Sequence, residues 1–261
     1  MESKDAATTP QPSQYALSDI KPEILESVML LLGHDLRSPM TIVISAMELL
    51  ISLYEDDPNL IGTVDILRGV LHAANREIRL VNDLLDLRRL ELNTYAPNTK
   101  DTDMVSLLRN VLDTESYALA TKKLKVETTL PQDTLLHAKI DPELVERMLR
   151  AILDNALKFT TRDDTLRVSI QPEDDKIVIR FEDTGRMVQS RFGDSLLKQP
   201  PQWEERQAGT RTSVGMGMPF TYRAALAQGG SFSVSSDMKT GWTTFKLAFP
   251  AIKTSAAGIN Q

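Results

Sequence analysis

Two apolar seams dominate the first third of the chain. In the first, Leu25, Met29, Leu32, Leu36, Pro39, Val43, Ala46, Leu50 and Leu53 recur at alternating spacings of four and three, the pattern of a helix packed lengthwise against other helices. The second, Leu60, Val64, Leu67, Leu71, Ala74, Ile78, Val81 and Leu85, repeats the same alternation. Glu55-Asp56-Asp57-Pro58-Asn59 separates them. The spacing predicts helices over about 21–53 and 60–92, with Pro22 suited to a first turn, joined by a short loop into an antiparallel hairpin. Further apolar residues at Val28, Leu31, Ile42, Leu49, Val70, Leu84 and Leu87 exceed what two helices can enclose. A four-helix bundle built from two chains would cover them, so a homodimer is expected.

Inside the first seam stands Gly33-His34-Asp35-Leu36-Arg37-Ser38-Pro39. At about 100° per residue, His34 lies roughly 200° around the helix from Leu32, so its imidazole points out of the seam. Asp35 adjoins it, and Ser38 lies one turn further along the same face. Pro39 removes the bond from its own nitrogen to the Asp35 carbonyl and should loosen the turn that carries His34, at a cost of up to about 3 kcal/mol.

The remaining texture differs. Residues 1–19 are rich in Pro, Ser, Thr and Gln without a sustained period, which suggests a disordered lead or linker in which no sensor domain fits. The hairpin occupies 20–95. The polar break Asn93–Thr102 marks a domain boundary, and a second domain spans 96–252, followed by a flexible tail over 253–261. Within the second domain a helix is expected over 104–121, strands over 124–130 and 136–140, and a helix from Pro142 to Phe159 with Asp141 as N-cap. Alternating strands follow over 165–171 and 176–181, then an irregular stretch over 185–212, a helix over 216–227, and two strands over 231–235 and 243–249. That mixture implies an α+β sandwich.

Composition narrows the chemistry. With 41% apolar residues in 261, the chain can bury real cores. It has no cysteine, so disulfides, thiolate catalysis and cysteine-ligated zinc are excluded, and its three histidines are scattered. A net charge of -6 argues against a nucleic-acid surface. No run of eighteen apolar residues and no signal peptide is present, so no membrane segment is expected and the chain reads as cytoplasmic.

HDLRSP on a helical hairpin, LDNALKFT on a later helix, EDTG after a strand and VGMGM before a helix, in that order, resemble a two-component sensor histidine kinase. The resemblance covers about residues 20–250. It implies an all-α dimerisation and histidine-phosphotransfer hairpin followed by a Bergerat-type ATP-binding domain, related to those of gyrase, Hsp90 and MutL. By that resemblance His34 accepts the γ-phosphoryl group of ATP, Asp35 holds the imidazole proton, and Ser38 stands where relatives use Thr or Asn to position water for a phosphatase reaction. Asn155 would supply an oxygen to Mg2+, and Lys158, at i+3 from it, would contact a phosphate. Asp183 would accept from the adenine amino group, Gly185 would let the backbone approach the base, and Thr244 would lie near the adenine. Gly215 and Gly217 would admit phosphates to a helix N-terminus.

The partner implied is a response regulator with a receiver domain, since this chain contains none. Three positions depart from the family pattern: Ala151 in place of a second asparagine, Met187 in place of a glycine two residues beyond Gly185, and Ser213 in place of a glycine. These departures keep a rival reading open, a degenerate kinase or nucleotide-binding scaffold that dimerises and binds a regulator without autophosphorylation.

Overall fold

A computed structural model describes residues 22–131, 135–185 and 216–252, with only the backbone described at 22–30, 32 and 34. Helix α1 (Pro22–Tyr54) and helix α2 (Ile61–Glu91) form the antiparallel hairpin, turned by a single 3-10 turn at Pro58–Leu60. Asp57 caps that turn by accepting from the Asn59 N–H at 2.9 Å. Helix α1 runs through Pro39 without a break in its helical assignment. The two helices meet closely beside His34. A Cβ on Gly33 would lie 2.5 Å from Leu85 Cδ1, and Arg37 Nη2 donates to Asn82 Oδ1 at 2.6 Å. The His34 turn is therefore level with residues 82–85 of α2.

The second unit begins with a strand that the polar sequence of the break conceals. Strand β1 (Lys100–Asp103) pairs antiparallel with β3 (His137–Ile140), although Asn93–Thr102 reads as a loop by composition. The helix expected over 104–121 is two, α3 (Met104–Thr114) and α4 (Ser116–Lys122), broken at Glu115. Glu115 turns inward there, buried and bound to Arg150. Helix α5 (Pro142–Phe159) starts as its sequence signals, with the Asp141 carboxylate accepting from the Leu144 N–H. The main sheet has the order β2-β4-β5-β7-β6, from β2 (Lys125–Thr129), β4 (Thr165–Glu173), β5 (Lys176–Asp183), β6 (Ser231–Ser236) and β7 (Thr243–Pro250). Only β2 and β4 run parallel; the other neighbours are antiparallel. Helix α6 (Gly217–Leu226) precedes β6.

Alternation along β4, β5 and β7 sends Leu166, Val168, Ile179, Phe181, Phe245 and Leu247 to the helix-covered face, where they meet Met148, Ile152 and Phe220. The result is a helical hairpin followed by an α/β sandwich.

The hairpin is not a separate rod. Asp65, His72, Arg76, Asp83, Asp86 and Leu90 recur along one stripe of α2, nearly opposite its seam toward α1. Each meets the second unit. Tyr117 donates to the Asp65 carbonyl at 3.3 Å, His72 lies 3.8 Å from Glu115, and Arg76 lies 3.7 Å from Asp154. Arg147 of α5 donates to Asp83 through Nε at 3.1 Å and Nη2 at 2.8 Å, and to Asp86 through Nη1 at 2.8 Å. Its guanidinium also stacks 4.7 Å from the Phe220 ring centroid. Leu90 enters the sandwich core itself. Burial pushes the Asp83 carboxyl up to about 6, against the opposing pull of Arg147.

The other apolar faces of the hairpin remain open. Leu31, Ile42, Leu49 and Val70 are exposed, Ile42 at 69%, whereas Leu87, grouped with them by sequence, is buried within its own chain. The stretch Asp35–Tyr54 is also long and apolar enough to cross a membrane, by length and composition alone, with a mean hydropathy of 1.4. An uninterrupted-run criterion misses it because Asp35, Arg37 and Glu48 punctuate an otherwise apolar segment.

Candidate functional site

Where α2 faces the sandwich, one open cleft gathers residues from three helices. It is lined by Arg76, Arg79 and Asp83 of α2, by Arg147, Arg150, Asp154, Asn155 and Lys158 of α5, and by Gly217 and Met218 at the start of α6. Helix geometry explains the convergence. Residues 147, 151, 154, 155 and 158 fall on one stripe of α5, while the adjoining stripe, Met148, Leu149, Ile152 and Ala156, is buried in the core. The Asp141 cap and Pro142 fix where that stripe begins.

Asn155 and Lys158, paired by sequence spacing, thus lie together with Gly217. Burial and the neighbouring Arg76 push the Lys158 ammonium below its ordinary range, and its Nζ sits 4.8 Å over the Phe159 ring. A cation destabilised in this way gains from an anion placed beside it. At α6, the N-cap Met216 makes no side-chain cap bond, so among the described residues its leading amides have no capping side chain. Gly217 also rests against Ala151, with a Cβ there lying 3.3 Å from Ala151 Cβ. Ala151, which departs from the family pattern, is thus the neighbour that α6 packs on.

The EDTG turn meets the C-terminal end of α5, next to Lys158. Asp183 ends β5 and is only 2% exposed. Its Oδ1 accepts from the Gly185 N–H at 2.9 Å, and burial, aided by Asp164, pushes its carboxyl up to about 6. A Cβ on Gly185 would lie 2.6 Å from the Phe159 carbonyl oxygen, next to Lys158. Backbone cannot yield as a side-chain tip can, so Gly185→Ala is expected to lower stability by about 1–3 kcal/mol, read as a fall in the thermal unfolding midpoint.

One assignment changes. In the β5–β7 register Asp183 faces Thr243, and Thr244 pairs with Glu182 on the opposite face. Thr243 is buried and shares a 2.9 Å hydrogen bond with Ser236 Oγ. The threonine beside Asp183 is Thr243, not Thr244; two adjacent threonines can be told apart only once the strand register is known.

Asp35 and Ser38 are exposed on α1, in the turn level with residues 82–85 of α2. The His34 side chain and Gly215 lie outside the described residues, as do Arg186, Met187 and Ser213. Among the described residues no three His, Asp or Glu side chains converge as a metal-ligand set. The cleft does offer the neutral amide of Asn155 beside several cations, a donor set suited to a Mg2+ carried largely by phosphate oxygens.

Residues 140–253 match the family model described as histidine kinase-, DNA gyrase B- and HSP90-like ATPase. The chain is 26% identical over 222 residues to the sensor protein VanSC of Enterococcus gallinarum, covering 84% of this chain and 60% of that protein. It is 28% identical over 249 residues to the adaptive-response sensory kinase SasA of Nostoc sp., covering 89% of this chain and 61% of the relative. The chain therefore spans about 60% of the length of these relatives. In fold it is similar to full-length ShkA, solved in complex with AMPPNP, with a TM-score of 0.59 at 20% identity over 89% of this chain and 46% of that one.

Proposed function

We propose that this chain, whose residues 140–253 belong to the histidine kinase-, DNA gyrase B- and HSP90-like ATPase family, transfers the γ-phosphoryl group of ATP to His34 and then to an aspartate of a separate response regulator. One observation carries this reading: the cleft holding Asn155, Lys158 and Gly217 opens onto residues 76–83 of α2, and the His34 turn is level with residues 82–85 of that helix. At 1.5 Å per residue, those positions are within about two helical turns of each other along the hairpin.

In this reading Asp183 binds the adenine amino group, with Thr243 beside it. Lys158 and the leading amides of α6 hold phosphates, and Asn155 faces the Mg2+ that travels with them. Bound magnesium neutralises charge on the phosphate oxygens. In the transfer, an imidazole nitrogen of His34 forms a bond to the γ-phosphorus as the bond from phosphorus to the ADP oxygen breaks. Asp35 takes up the proton from the other ring nitrogen. We further propose that a second copy's hairpin covers Leu31, Ile42, Leu49 and Val70, making a homodimeric four-helix bundle, and that both units work in the cytoplasm, where ATP is available.

With γ-labelled ATP and Mg2+, the chain should take up acid-labile label, Asn155→Ala should take up little, and an added receiver domain should remove it. ATP binding without label would favour the scaffold reading.

The raised Asp183 pKa gives a pH signature. The carboxylate accepts from adenine N6 through a charge-assisted bond, whereas the protonated acid accepts more weakly and can donate its O–H to the oxygen of hypoxanthine. Phosphate titration is common to both nucleotides and cancels in their ratio. The preference for ATP over inosine triphosphate should therefore be fullest well above pH 6 and fall as pH drops through about 6 toward 5. A preference that stays flat across that range would remove Asp183 from base recognition.

A further inference from the structure

We infer that Arg76 and Arg79 of the hairpin bind the phosphate end of the nucleotide held by the sandwich, so that helix α2 supplies one wall of the ATP site. The inference rests on the nucleotide reading of Asp183, Asn155 and Lys158 given above, and adds residues from outside the ATPase domain.

Three observations meet at this wall. The first is position: both arginines line the same cleft as Asn155, Lys158 and Gly217. The second is hydrogen bonding. Arg76 Nε, Arg79 Nε and Arg79 Nη2 are buried nitrogens without a hydrogen-bond acceptor among the described residues. Buried guanidinium N–H groups are costly to leave unsatisfied, and planar donors of this kind match phosphate oxygens. The third is charge. Five cationic side chains line the cleft, Arg76, Arg79, Arg147, Arg150 and Lys158, against two carboxylates, Asp83 and Asp154. Arg147 and Arg150 are already engaged, with Asp83 and Asp86 and with Glu115 and Glu146. The cationic charge left facing the cleft therefore comes from Arg76, Arg79 and Lys158, partly offset by Asp154.

A purely structural role for Arg76 would be to pair with Asp154 at 3.7 Å and help hold the hairpin against the sandwich. That distance is too long for a hydrogen bond, and it leaves the Arg79 nitrogens unexplained. A triphosphate in the cleft supplies the missing acceptors. The consequence is a coupling: ATP bridges the two units, and the docked arrangement is favoured when ATP is bound over adenosine or no ligand.

The two roles differ in sign at Asp154. Arg76→Ala and Asp154→Asn break the same ion pair, so a docking-only role moves both variants the same way. Phosphate binding moves them apart, because Asp154 competes with phosphate for the arginines.

The test is titration calorimetry of ATP and of adenosine on the full chain and four variants. Arg76→Ala combined with Arg79→Ala should lower the ATP-to-adenosine affinity ratio about tenfold or more, with adenosine affinity unchanged. Asp154→Asn should raise the ratio, and Arg79→Lys, which keeps the charge and tests folding, should retain most of it. A ratio unchanged in the double variant, or lowered in both it and Asp154→Asn, would overturn the inference, while Asp183→Asn weakening both ligands alike would leave the nucleotide reading standing. A folded parent chain that binds neither ligand would overturn the nucleotide reading and the inference with it.

Discussion

Asp183→Asn is expected to lower ATP affinity at pH 7 about a hundredfold while raising the melting temperature of the unliganded chain. The binding loss follows from replacing a buried acceptor of an amino group by an amide, which removes a charge-assisted hydrogen bond in a dry site and costs on the order of 3 kcal/mol. The stability gain has the opposite origin. Asp183 is an acid whose folded-state pKa of about 6 lies above its ordinary value of 3.8. The folded chain therefore holds a proton that the unfolded chain releases between about pH 4 and 6, and stability falls as pH rises through that window. At pH 7 the penalty is complete, with an upper bound of about 3 kcal/mol. Asparagine carries no such penalty, and its Oδ1 can still accept from the Gly185 N–H now bound at 2.9 Å. Calorimetry and thermal melts read the two effects separately. A lower melting temperature with unchanged ATP affinity would make Asp183 a structural residue only.

His34→Gln is expected to abolish phosphoryl incorporation, by about a thousandfold or more, while ATP affinity stays within about twofold. The heptad spacing puts position 34 off the seam, and glutamine is a good helix former, so the hairpin should be undisturbed. A parallel loss of ATP affinity would mean that the substitution disturbed docking of α2 rather than the acceptor. Retained label would place the acceptor elsewhere.

The physical basis of these effects was unevenly legible in the chain. The hairpin could be read because its seams repeat over several heptads and its loop carries Asp57 and Pro58, which act locally. Helix α5 could be read from Asp141-Pro142, again a local signal. Strand β1 could not, because Lys100–Asp103 is polar and owes its extended form to pairing with β3. The break at Glu115 depends on a distant residue, Arg150, which draws that carboxylate inward. The choice between Thr243 and Thr244 depends on register, which a one-residue shift inverts.

The docking of α2 on the sandwich was the least legible feature. Asp65, His72, Arg76, Asp83 and Asp86 have the composition of a solvated helix face, and only their partners Tyr117, Glu115, Asp154 and Arg147 make them an interface. This contact also reassigns Leu87. The sequence groups it with residues awaiting a second chain, and the fold buries it within its own.

The transfer to His34 is tested most directly by mass spectrometry of the full chain after incubation with ATP and Mg2+, with the sample kept out of acid. One added phosphoryl group, assigned by fragmentation to His34 and absent from Asp183→Asn, is the expected result. A chain saturated with ATP whose His34 stays unmodified would contradict it.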